Sequence, residues 1–220
     1  MSRITKFVLA LATFAVLGLT AATPAKADFV TFAQPTAPYT GTTNKINITQ
    51  PENTTTTSIS DGTMTVGFSS SMTALTVPTG WGSWASPPFT ESATPRVLWT
   101  QGSGLTLTLS VGTNTFGFEL EPNATGLHAF SVAFFDGATL VGTINQDVNG
   151  DAGARLFAAM TNTNLFDRVV ITGSDFAIAQ IRYGTSAPAV PEPATMLLLG
   201  TGLAGVAAKL GKRRKASKSD

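Results

Sequence analysis

The segment Leu105-Thr106-Leu107-Thr108-Leu109 carries leucine at every second position. Successive side chains of an extended backbone point to opposite faces, so the three leucines share one side and the threonines the other. The same two-residue period returns at 64–68 and at 115–120, where Phe116, Phe118 and Leu120 fall on one side. Further strand candidates cover 129–135, 139–144, 168–172 and 176–183, and a strand-like stretch covers 96–100. No long run between 28 and 184 has the 3.6-residue spacing of a helix. The breaks fall at Gly, Asn, Asp and Pro, and Asp136-Gly137 reads as a hairpin turn. At least eight strands without a helix of consequence predict an all-β fold, an antiparallel β-sandwich. A jelly-roll topology is expected by analogy with exported bacterial modules of this size.

The two ends depart from this pattern. Arg3 and Lys6 precede an apolar run over 7–19, which is short for a membrane-spanning helix, and Ala25-Lys26-Ala27 follows. This is the layout of a signal peptide over 1–27, cut by signal peptidase after Ala25 and Ala27 and before Asp28. The other end reads Pro191-Glu192-Pro193, then an uncharged Leu-, Ala- and Gly-rich stretch over 194–208, then Lys209, Lys212, Arg213, Arg214, Lys215 and Lys218. The apolar stretch predicts a C-terminal transmembrane helix extended by snorkelling of Lys209. The basic end holds that side in the cytoplasm, so everything before Pro191 lies outside. The expected organisation is a signal peptide at 1–27, a mature β domain at 28–184, a linker at 185–190 and a sorting tail at 191–220.

That tail resembles the PEP-CTERM sorting signal, which joins a Pro-Glu-Pro triplet to a short hydrophobic helix and an Arg-rich end. The resemblance covers about the last 30 residues. It implies processing by an exosortase, transient residence in the inner membrane, and delivery to the surface or exopolysaccharide matrix of a Gram-negative bacterium. The domain between the signals is similar to the β-rich body of many such proteins, through Phe116-Gly117-Phe118-Glu119-Leu120-Glu121-Pro122-Asn123, Phe134-Phe135-Asp136-Gly137 and residues 176–184. Related bodies often carry an acidic residue in the last strand beside an ion site. This chain has Ala179 and Gln180 there.

Charge separates the parts. Residues 28–190 hold eleven acidic and five basic side chains, a net −6, although the whole chain is +1. An acidic exported domain repels phosphate backbones, which excludes nucleic acid as an expected partner. There is no cysteine, so disulfides and thiol chemistry are absent, and His128 is the only histidine. No phosphate loop, nucleophile elbow or metal-protease motif is present.

Two candidate binding sites remain. Asp147, Asn149 and Asp151 alternate in an Asn/Gly/Asp-rich loop and resemble the first half of a calcium loop, but Ala152 and Ala158 stand where such a loop needs Gly and Glu. A plain turn has the same composition. Trp81 and Trp84 lie in a Gly- and Pro-rich stretch, either to stack on sugar rings or to plug the sandwich, with Trp99 the expected core member. Glu119 and Glu121 share one face of a strand, opposite Phe118, and are expected in solvent. The reading is a non-catalytic structural or interaction protein of the matrix, with no cofactor unless calcium binds. A polysaccharide-binding lectin-like module is the alternative, and a hydrolase is a weaker one.

Overall fold

The computed structural model describes residues 29–185. The predicted signal peptide (with Ala25, Ala27 and Asp28) and the tail from Pro191 to Lys218 lie outside the described residues. In chain order the elements are β1 (Val30–Phe32), the one-turn helix α1 (Ala37–Thr40), β2 (Asn44–Ile46), β3 (Thr55–Ser60), β4 (Thr65–Thr76) and β5 (Arg96–Thr100). They continue as β6 (Gly104–Thr113), β7 (Thr115–Pro122), β8 (Leu127–Asp136), β9 (Thr139–Asn149), β10 (Arg155–Met160), β11 (Phe166–Thr172) and β12 (Phe176–Gly184). Every pairing is antiparallel. Among the described residues no helix is long and apolar enough to cross a membrane.

The strands form one hydrogen-bonded path, β1-β10-β7-β12-β5-β4-β6-β11-β8-β9, with β2 on β12 and β3 on β4, and the path nearly closes into a barrel. The two halves of the expected sandwich are therefore joined rather than separate. The joint is β4, whose twelve residues are enough to serve both. Its first part pairs with β6 through Val66, Gly67 and Phe68, and its last part with β5 through Thr73 to Thr76. Ser69, Ser70 and Ser71 are exposed where it crosses over.

On either side of that joint lie two runs of four strands, β5-β12-β7-β10 and β6-β11-β8-β9. Their inner faces meet in one core. The alternation predicted for β6 holds: Leu105, Leu107 and Leu109 are buried and Thr108 is exposed. Opposite them, Phe116, Phe118 and Leu120 of β7 and Phe176 and Ile178 of β12 join the same cluster. Phe130 of β8 meets Phe176 edge-on across the core at 5.6 Å.

Residues 29–57 pack against the body. Phe29 packs edge-on against Phe134 and Phe166. Tyr39 of α1 is fully buried on Leu156 and Ala158 of β10, beside Phe32. This cover also explains why β10 was not legible as a strand. Its sequence RLFAAM buries both faces, so no polar side remains to mark the period.

Candidate functional site

The loop joining β4 to β5, residues 77–95, folds back over the outer face of β7 and β12. Small side chains flank two glutamates on that face. Ala177 and Ala179 of β12 stand opposite Glu121 and Glu119, and Ala158 of β10 stands opposite Gly117. A Cβ on Gly117 would lie 2.3 Å from the Ala158 Cβ and 2.7 Å from the Tyr39 hydroxyl, so the approach requires glycine. Gly153, at φ +76°, likewise lets the backbone of Ala85 come within 2.4 Å of where a Cβ would stand. Leu75, Val77, Trp81, Trp84, Val97, Ala154, Ala177 and Ala179 form a second apolar cluster there.

Glu119 and Glu121 are buried within this layer, at 0% and 1% exposure, which overturns their expected place in solvent. The parity argument put them correctly on the face opposite Phe118, but that face is covered. Each carboxylate is tied to one indole. The Trp84 Nε1 donates to Glu119 Oε2 at 2.8 Å, and the Glu91 backbone N–H donates to Glu119 Oε1 at 2.6 Å. The Trp81 Nε1 donates to Glu121 Oε2 at 2.9 Å, and the Ser83 hydroxyl donates to Glu121 Oε1 at 2.8 Å. Both oxygens of both acids therefore accept a hydrogen bond from the loop. Such satisfaction is what allows a carboxylate to sit inside at all.

Burial pushes the Glu119 carboxyl up to about 8. The hydrogen bonds from Trp84 and the Glu91 N–H pull the other way, the Glu91 carboxylate adds to the rise, and Lys45 opposes it. Glu121 is raised as well, by burial, against the bonds from Trp81 and Ser83 and the charge of Arg155. Next to them the Glu91 carboxylate forms a two-pronged pair with Arg182 of β12, Nε to Oε1 at 2.6 Å and Nη2 to Oε2 at 3.0 Å. Arg182 also donates to the Thr43 carbonyl at 2.9 Å, which fastens the N-terminal segment to the same network. Lys45 stands 3.7 Å from Glu91.

Trp81 and Trp84 are thus on a loop, as expected, yet only 6% and 7% exposed. Trp99, the expected core member, is only half-buried and donates its Nε1 to Asp175 at 2.8 Å. One end of the loop borders an open cleft of about 390 Å³, where Trp81, Ser83, Glu121, Asn123, Thr125 and Asp151 meet. The calcium candidates are divided by the fold. Asp147, on β9, lines a different groove with Phe130 and Asn145, whereas Asp151 lines the cleft. Asn149 Oδ1 accepts from the Asp151 N–H, and Asp151 Oδ2 accepts from the Gly126 N–H, each at 2.9 Å, which is turn bonding. Among the described residues no three His, Cys, Asp or Glu side chains gather as a metal set would. His128 makes a 3.0 Å contact with the Thr125 carbonyl.

Sequence reasoning missed the Glu91–Arg182 pair and the indole–carboxylate bonds. One signal was available: the outward positions of β7, β10 and β12 include Gly117, Ala158, Ala177 and Ala179, where β6 has Thr.

The chain matches the PEP-CTERM protein-sorting motif over residues 189–215, which includes Pro191, Glu192 and Pro193. No curated protein matches the chain in sequence. Among solved structures, it is similar to the enzymatically active domain of tailspike protein 4 from bacteriophage CBA120, at 17% identity and a TM-score of 0.29. That match spans 56% of this chain and 19% of the tailspike chain. A likeness so slight carries no argument about activity.

Proposed function

We propose that this chain is a non-catalytic structural or interaction protein of the cell surface or exopolysaccharide matrix. The sorting motif at 189–215 carries the reading, because a signal of this kind implies an exported chain held briefly in a membrane and processed by an exosortase. The basic run from Lys209 to Lys218 then anchors the cytoplasmic side during sorting, in the inner membrane of a Gram-negative cell. The body suits a passive role. Its two buried acids spend all four oxygens on holding a loop, whereas a glycosidase needs carboxyls about 5 to 10 Å apart across a substrate cleft.

The body is a jelly roll in this reading. Strands β5 to β12 alternate between the two four-strand runs, and of consecutive pairs among them only β8 and β9 stay together as a hairpin. The test of the function is intact mass with terminal sequencing of the protein recovered from its host. A species starting at Asp28 and ending near Pro191 is expected. One that keeps residues 194–220 would make the tail a permanent anchor and defeat the sorting argument.

A second reading, a carbohydrate-binding module, is favoured by the cleft beside Trp81, where the exposed Ser83, Asn123 and Asp151 offer polar groups to a hydroxylated ligand. Calcium at Asp147, Asn149 or Asp151 would belong to that reading. A glycan array run with and without calcium decides it, and no binding in either condition would remove it.

A further inference from the structure

The end strand of the path, β9, stands apart from the other edges of the sheet. It is eleven residues long and, among the described residues, hydrogen-bonds only to β8, in a register running from Leu127↔Asn149 to Asp136↔Thr139. The opposite end of the path is β1, of three residues; β2 is as short, and β3, on β4, has six residues broken by a register shift between Thr56 and Ser58. Proteins usually blunt an open edge with Lys, Pro, a bulge or brevity, because a row of free N–H and C=O groups invites another strand. The one shift in the β8–β9 register falls at Val141, which leaves residues 142–149 regular. That stretch, Gly142-Thr143-Ile144-Asn145-Gln146-Asp147-Val148-Asn149, contains no Lys, Arg or Pro and a single charge, Asp147.

We propose that β9 is a self-association edge, pairing antiparallel with β9 of a second copy of this chain. An antiparallel pair of identical strands has a two-fold axis, so residue i meets j and j meets i. With the axis at Asn145, Thr143 stands opposite Asp147 on the outer face and Ile144 opposite Gln146 on the inner. Thr143, Asn145 and Asp147 are all exposed, so the outer face is a polar ladder. Threonine opposite aspartate is a hydrogen-bonding pair, and Asp147 never faces its own copy, which would be repulsive. The charge pattern therefore rejects the register centred on Asp147 and is compatible with the one centred on Asn145. Each copy extends the β6-β11-β8-β9 run of the other. This association goes beyond the matrix role and does not depend on it.

The test uses the full chain exported by its host, with light scattering over a concentration series. A concentration-dependent dimer is expected. Asn145→Lys places two ammonium groups face to face at the axis, and weakens the dimer by about tenfold or more. Because the chain has no cysteine, Asn145→Cys supplies the only thiol and is expected to cross-link under oxidation, while Thr63→Cys, on an exposed turn, is not. Mixed Thr143→Cys and Asp147→Cys chains cross-link to each other. A monomer at every concentration, as would follow if residues 186–220 or any other segment of the same chain covered the edge, overturns the proposal. So does a dimer indifferent to Asn145→Lys. A dimer abolished by Asn145→Lys in which Asn145→Cys does not link refutes pairing about Asn145.

Discussion

The two outer faces of the strand path began from similar sequence and met opposite fates. On β6, Thr106 and Thr108 alternate with core leucines and face outward uncovered. The neighbouring β11 adds Arg168, whose guanidinium lies 3.9 Å over the Phe135 ring of β8, a surface contact. On β7, Gly117, Glu119 and Glu121 alternate with core residues in the same way, yet all are buried beneath the 77–95 loop and α1. Two-residue alternation identifies the inner face reliably, since burying the wrong side would cost an entire strand. It says nothing about whether a distant segment will cover the other side. What distinguishes the covered face is side-chain size: Gly117, Ala158, Ala177 and Ala179 make room where β6 keeps threonine.

The difference can be broken most forcefully at the cover itself. Trp84→Ala removes one of the loop's two buried indoles and leaves the Glu119 Oε2 without its donor. It is expected to cost about 4 kcal/mol of unfolding free energy, read from the urea midpoint at constant slope. Arg182→Met comes next. It strands the Glu91 carboxylate among buried groups with only Lys45 nearby, a loss of about 3 kcal/mol, and adding Glu91→Gln returns part of it.

A third experiment turns on pH. Glu119 has its folded value raised from 4.5 to about 8, so the folded chain holds this proton more tightly than the unfolded one. Its contribution is fully present below about 4.5 and is lost as pH climbs from there to about 8. Stability of the native chain therefore falls across that window. Glu119→Gln flattens most of the slope in a urea series at several pH values, and the residue of the slope belongs to Glu121, which shifts in the same direction. A native chain whose stability is level from pH 5 to 8 would refute the buried-acid account. Thr108→Ala, on the open face, sets the floor: a change within about 0.5 kcal/mol.

These contrasts also explain what the sequence could and could not disclose. Strands with one wet face were legible: β6, β8, β9 and β11 carry their period openly. Strand β7 was legible through Phe116, Phe118 and Leu120, although the fate of its glutamates was not. The short β1 and β2, and β10 with its paired alanines, gave no period to read, the first two because three residues are too few and the last because both sides are apolar. The tail was read from its triplet, apolar run and basic end without any knowledge of the fold, because a sorting signal is recognised as linear chemistry. The Glu91–Arg182 pair spans 91 positions and depends on how the 77–95 loop returns, which local pattern does not encode.

The position of β12 has a consequence for how such a chain matures. It is the last strand in sequence, yet it lies in the interior of its run, between β7 and β5, and it supplies Phe176, Ile178, Ile181 and Tyr183 to the core. A polypeptide threaded outward from its N-terminus brings this strand across last, five residues before the start of the sorting motif. Until then β5 and β7 wait with a gap between them. The body is thus finished by its C-terminal strand, like an arch closed by its keystone. A chain arrested or clipped before residue 176 is left with its core open.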